Sequence, residues 1–202
     1  GAWPVGHGMR INNVGVMGFW ADYDIDSGAE WWMTDVYAYD PVKYGIALGN
    51  VIDVRLTAPQ MIAGPNNLTP DSALILRNGA GGVHVIAAKV NNRGSGKWKN
   101  GIEASLKDGA GVEDYQFYNS SIEGVSEYGI KIRNAGPANT GTLDKLQWGG
   151  LEVASTGSPS YAAVSLVAVN AGGISGVVDT SGNIFYSWSV AYELTNCDRV
   201  GI

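Results

Sequence analysis

The chain is poor in the residues that most familiar active sites require. Cys197 is its one cysteine, so no disulfide can form within it. His7 and His84 are its two histidines, too few alongside one thiol for a zinc site of ordinary composition. Lys and Arg number 13 against 19 Asp and Glu, and the formal net charge of −6 argues against a general nucleic-acid binder, which normally carries a basic excess. There is no run of eighteen apolar residues to cross a membrane as a helix, and no basic-then-apolar leader at the start. No Gly-x-Ser-x-Gly elbow occurs, and Gly79-Ala80-Gly81-Gly82 lacks the Lys-Ser or Lys-Thr of a phosphate loop. Charged residues make up only 16% of the chain, while glycine reaches 29 of 202 residues and aromatics 10%. Such a mixture suits a sheet-rich single domain with many tight turns.

What is present is a repeat. Six short apolar segments end at Asn50, Asn78, Asp108, Asn134, Asn170 and Asn196, at intervals of 28, 30, 26, 36 and 26 residues. Two residues before each mark stand Leu48, Leu76, Leu106, Ile132, Ala168 and Leu194, and four before stand Ile46, Leu74, Ala104, Ile130, Leu166 and Tyr192. A two-residue apolar alternation returning at this interval predicts stacked turns of a coil, with these residues filed inside it. Roughly 28 residues suffice for three short strands and their corners at about 3.3 Å per residue. The units are too short for propeller blades, and the Leu-x-x-Leu-x-Leu frame of leucine-rich repeats is missing. The punctuating Asn fits because it tolerates left-handed backbone and can bond neighbouring turns. Residues 1–44 depart from the pattern as an aromatic and acidic segment entering the coil, and 45–202 supply the rungs. The chain opens at Gly1-Ala2-Trp3-Pro4 and stops at Val200-Gly201-Ile202 inside what reads as another strand, as a piece of a longer protein would.

The recurring Gly-Ile-x-Leu-x-Asn unit, a bend, then a Val-x-x-Val strand resembles the right-handed parallel β-helices of bacteriophage tailspikes and tail-fibre receptor-binding proteins; pectate-lyase-like enzymes share the architecture. The resemblance covers roughly residues 9–202. It implies an all-β solenoid, a side-by-side homotrimer, location in the virion tail outside the cell, and recognition of a bacterial surface polysaccharide, capsule or lipopolysaccharide, with no cofactor. Such spikes often cleave the glycan with Asp and Glu on the outer face or between subunits, but no position transfers residue by residue. The calcium-site motifs of the lyases are not evident.

Three sets of residues stand out as chemistry. Trp20, Tyr23, Trp31, Trp32, Tyr37 and Tyr39 alternate with Asp and Glu, and aromatic faces beside carboxylates match the C–H faces and hydroxyls of a sugar; the plainer reading is core or subunit packing. Asp53, His84, Asp114 and Asp144 fall at nearly equivalent places after each bend, with Glu113 replacing Asp114 in the other possible register. Acids one or two rungs apart would stand about 5 or 10 Å from each other, near the carboxyl separations of retaining or inverting glycosidases, so Asp53, Asp114 and Asp144 are the candidate catalytic acids. Arg77, Lys107 and Arg133 each precede a mark, and a stack of like charge calls for local acids such as Glu103 or Glu127, or for an anionic ligand. Inserted loops Asn91–Asn100, Ala135–Gly141 and Ser155–Tyr161, near Trp98, Trp148 and Trp188, add Trp98 as a further binding candidate. The alternatives to glycan recognition are depolymerisation by paired carboxylates, hydrolase before lyase, and a trimeric shaft that binds nothing.

Overall fold

The computed structural model describes residues 8–67, 69–156, 161–168 and 172–202. Nineteen strands and no helix occur among them, and every strand pairing is parallel. Each strand bonds the one a turn later, so the chain coils into stacked rungs with three strand faces. The first face runs through the leading half of Ala21–Thr34, the leading half of Tyr44–Thr57, Ser72–Leu76, Trp98–Leu106, the trailing half of Ser121–Asn134, Ala162–Val167 and Val190–Thr195. The second takes Arg10–Asn12, the trailing halves of Ala21–Thr34 and Tyr44–Thr57, then Gly81–Ile86, Gly111–Tyr118, Thr142–Gly149, Gly173–Asp179 and Cys197–Asp198. The third takes Gly15–Met17, Tyr37–Tyr39, Gln60–Ala63, Lys89–Asn92, the leading half of Ser121–Asn134, Glu152–Ser155 and Ile184–Tyr186. Residues 21–39 therefore form a rung of their own and pair fully with the next; the aromatic-acidic segment is part of the stack.

Alternation fills the interior. On the first face Ile25, Leu48, Leu76, Ala104, Ile132, Leu166 and Leu194 pair in succession as one inner file. A second file holds Tyr23, Ile46, Leu74, Ile102, Ile130, Val164 and Tyr192. Leu106 and Ala168, expected in the first file, lie two residues beyond it. Leu106 pairs with Asn134, in the column that also contains Asn50 opposite Ser27. The Asn column thus holds at Asn50, Asn78, Asn134 and Asn196, but Leu106 and Ala168 occupy the places that Asp108 and Asn170 were expected to take. Asn170 itself lies outside the described residues. Asp108 instead closes the following loop, accepting bonds from the N–H groups of Ala138 at 3.0 Å and Thr140 at 2.9 Å. Because strand side chains repeat every two residues, a two-residue slip leaves inside and outside unchanged.

Two corners turn the chain between faces with single left-handed residues. Glu30, Asp53, Gly82, Asp114, Lys145, Gly176 and Arg199 stack at the first, with φ from 52° to 66°. Asn13, Asp35, Ala58, Ala87, Asn119, Gly150 and Ser181 stack at the second. Neither column contains a β-branched residue, which that backbone excludes on steric grounds. Cys197 is half-buried against the core, and burial pushes its thiol pKa up.

Candidate functional site

Solenoid geometry separates neighbours in sequence and unites residues a rung apart, so the early aromatic segment does not form one platform. Trp20 stands exposed at a corner with the Lys43 ammonium 5.1 Å from its ring. Tyr23 points inward, its hydroxyl donating to the Val14 carbonyl. Trp31 is also an inner-file residue, paired with Val54 and packed on the core. Tyr37 is on the third face, where Gln60 Nε2 donates to its hydroxyl at 3.1 Å. Trp32 alone of this group faces outward on the second face, under Arg10 at 5.2 Å. Tyr23 and Trp31 are therefore corrected from ligand platforms to core, since the alternation that turns Trp32 out turns its neighbour in. Trp98 is corrected likewise: it is wholly buried, and its Nε1 donates to the Asn91 carbonyl at 2.9 Å. Trp148 is equally buried, and Trp188 packs partly on the core. Residues 157–160 of the loop Ser155–Tyr161 lie outside the described residues.

The acidic column resolves into two. Asp53 and Asp114 share the left-handed corner, two rungs apart, with Gly82 between them. Asp144 is in the adjoining column opposite Glu113 and Ser175, and is not the vertical neighbour of the other two. It accepts a bond from Ser175 Oγ at 2.7 Å and pairs with Arg199 at 3.1 Å; Ser175 first, then the Arg199 charge, pull its carboxyl below the usual range. His84, expected beside the acids, stacks between Arg55 and Gln116 one column over.

Around Asp53 and Asp114 two adjoining hollows of about 390 and 220 Å³ make one trough. Ile52, Gly79, Gly81, Gly111, Val112 and Glu113 line the larger, and Glu30, Trp32, Arg55 and His84 the smaller; Asp53 and Gly82 belong to both. The trough exists because of Gly82. Its φ is +59°, and a Cβ there would come within 2.8 Å of Asp53 Oδ1 and 3.0 Å of the Asp53 nitrogen. Where the rungs directly above and below carry Asp53 and Asp114, this one carries no side chain, and the two carboxylates border the gap.

Asp114 is the most constrained group in the trough. Lys145 Nζ lies 2.9 Å from Oδ1, Gln116 Nε2 donates to Oδ1 at 2.8 Å, and His84 Nε2 lies 2.9 Å from Oδ2. Partial burial pushes its pKa up, but those three partners together outweigh it and hold the carboxyl at about 2. It is a fixed anion at neutral pH, an acceptor for hydroxyl groups and not a proton donor.

The basic set does not form a column either. Arg77 pairs with Asp24 and, at 3.8 Å, with Asp26; Arg133 pairs with Glu103 at 3.4 Å. Lys107 is exposed two residues beyond their column, the same slip that displaced Leu106. Arg55 in the trough, and Gln116 and Lys145 that hold Asp114 beside it, escaped the sequence reading. The Gly79–Gly82 run was their signal: glycines that cradle no phosphate still clear side chains from a rung. Among the described residues no three His, Cys, Asp or Glu side chains converge as a metal site. Comparison of the chain with family models, with curated proteins and with solved structures finds no match, so the functional reading rests on this geometry.

Proposed function

We propose that the chain is part of a phage tailspike or tail fibre, a right-handed β-helix assembled side by side as a homotrimer, and that its second face binds a bacterial surface polysaccharide. The observation that carries the binding reading is the trough itself. It spans successive rungs, sets Trp32 beside acceptors and donors, and places a vacant glycine step between Asp53 and a permanently ionised Asp114. An elongated chain of rings offers apolar C–H faces to an indole and hydroxyls to carboxylates. Parallel stacking supplies a groove with a repeat of about 4.8 Å per rung, suited to an extended polymer.

Two of the three candidate acids are unsuited to the proton-donor role in hydrolysis. Glycosidase pairs need one carboxyl kept protonated near neutrality while the other stays ionised. Asp114 and Asp144 are both drawn toward the ionised form, Asp114 to about 2, so neither supplies the proton for a leaving group. The test is titration with capsule and lipopolysaccharide oligosaccharides, followed by tryptophan fluorescence, with a reducing-end assay on the same mixtures. Saturable binding weakened at least tenfold by Trp32→Ala, with no new reducing ends, is the expected result. Binding that ignores Trp32 and Asp114→Asn would remove the trough from the proposal, and rising reducing ends would restore the hydrolase. Sedimentation equilibrium tests the trimer.

A further inference from the structure

The first face carries a hollow of about 370 Å³ that the trough does not use, lined by Tyr128, Tyr161, Ala162, Val190, Tyr192 and Glu193. Ala162 pairs with Val190 on the rung after it, while Tyr128 is on the rung before, and a single methyl group does not fill the step between them. The wall is aromatic. The Tyr161 and Tyr128 rings stand 5.0 Å apart, edge to face at 67°. Lys131 already holds the Tyr128 ring, its ammonium 4.7 Å from the centroid. Tyr128 therefore braces its neighbour, and the half-buried Tyr161 is the ring that offers a surface to the hollow. Edge-to-face contact sets that ring in place before anything binds.

The charge of the hollow has one sign. Glu193 is exposed at its rim, with Ser165 Oγ donating to its Oε2 at 2.6 Å. Among the described residues no Lys, Arg or His pairs with Glu193: Lys131 and Arg133, cations of the same face, pair with Glu127 at 3.9 Å and Glu103 at 3.4 Å. Nor does any of the three line the hollow among the described residues. Burial first, then the Glu193 charge, push the pKa of the Tyr128 phenol up, so the carboxylate is felt at the aromatic wall. An anion in this place meets a like charge, and a neutral ring makes no use of Glu193. A ligand that turns a C–H face to Tyr161 and a positive charge to Glu193 answers both.

Resting on the glycan reading and naming one sugar of that polymer, we propose that this hollow takes a sugar bearing a free amino group, its ring stacked on Tyr161 and its ammonium on Glu193. Small-ligand pockets run from roughly 300 to 1,000 Å³, and a hollow near the lower end of that range suits a single ring.

The experiment is an NMR titration of the intact chain with D-glucosamine, N-acetyl-D-glucosamine, D-glucose and methylammonium, each as the sole added ligand, at a slightly acidic pH that keeps the amines charged. Glucosamine is expected to bind at least tenfold more tightly than any of the others and to shift the amides of Ala162, Val190 and Glu193. Glu193→Gln, at an exposed side chain, is expected to bring glucosamine down to the level of glucose. Tyr161→Ala is expected to weaken glucosamine at least fivefold, both variants keeping an unchanged far-ultraviolet spectrum. Either neutral sugar equal to glucosamine, methylammonium equal to it, or glucosamine binding indifferent to both variants overturns the proposal. Trp32→Ala separates this site from the trough. If neutral oligosaccharides bind and lose their affinity in Trp32→Ala while glucosamine never shifts Glu193, the trough stands and this site falls. If glucosamine still shifts Glu193 in Trp32→Ala and no oligosaccharide occupies the trough, the reverse holds.

Discussion

Asp22 is a carboxylate whose environment opposes its charge. It is 8% exposed, accepts the Phe19 N–H at 3.0 Å through Oδ1, and leaves Oδ2 buried without a partner among the described residues. Burial, with a smaller push from Asp40, raises its pKa to about 6 against the backbone bonds from Phe19 and Tyr39 that lower it. The folded chain therefore holds this proton more tightly than the unfolded chain, whose carboxyl titrates near 3.8. The stability it contributes is complete below that value and is lost as pH rises through 6. Asp22→Asn cannot ionise, so it is expected to be the more stable protein at pH 7.5 by about 1–3 kcal/mol and to lose its advantage by pH 4. Thermal melts across that range check this; an advantage that does not change with pH would place its cause elsewhere. At the corners, Gly82→Ala must accept both φ +59° and the contact with Asp53, and is expected to cost about 1–3 kcal/mol while filling the trough. Ala87, at φ +56° in the second corner, lies on the opposite side of the same rule. Ala87→Gly is expected to stabilise by about 0.5–1 kcal/mol, and urea midpoints read both.

At the scale of the strands, the sequence disclosed period and face but not register. Leu48 and Leu76 were placed in one inner file correctly because their rungs are joined by connections without a shift. At the next rung the Asn mark moves on to Asp108, and Ala104, not Leu106, is opposite Leu76. Alternation is blind to such an error, since Leu106 is buried as well. The same slip assigned Lys107 to the column of Arg77 and Arg133, and a smaller one merged Asp144 with Asp53. Outer columns were consequently less legible than the core: a core forgives displacement by two, whereas a site depends on which side chain is the vertical neighbour. Trp31 and Trp32 show the remaining ambiguity, for two large aromatics in succession do not declare which one faces in. A double-mutant cycle settles the register. Leu76→Ala alone should cost about 2–5 kcal/mol by opening a cavity, and Ala104→Leu alone about 1–3 kcal/mol by overpacking. Combined, the added methylenes occupy the vacated space, and the pair should be less destabilised than the sum by about 1 kcal/mol or more. Strict additivity would mean that the two residues are not stacked.

For the molecule as a whole, each rung is held by the rungs above and below it, so stability is a property of position along the coil. Central rungs bury their files completely: Ile46, Leu48, Leu74, Leu76, Ile130 and Ile132 have no exposed surface. In this 202-residue chain the last rungs have one stacked neighbour, and Ile184, Tyr186, Val190 and Leu194 are between 38% and 50% exposed. At the other end Met9, Val14 and Met17 are exposed as well. Local opening follows from few buried contacts and solvent-facing backbone bonds. Native-state hydrogen exchange is therefore expected to grade along the stack, slowest for the amides of Ile46–Leu48, Leu74–Leu76, Ile102–Ala104 and Ile130–Ile132, and fastest for Arg10–Met17 and Val190–Asp198. The ordering should persist in low denaturant, with the outer rungs exchanging by local opening while the centre awaits global unfolding. The trough is built mainly on rungs of the protected centre, where Gly82 and Asp114 are placed by neighbours on both sides. A uniform exchange profile would mean that the chain opens as one unit, and the trough would then owe its geometry to the whole fold and not to the adjoining rungs.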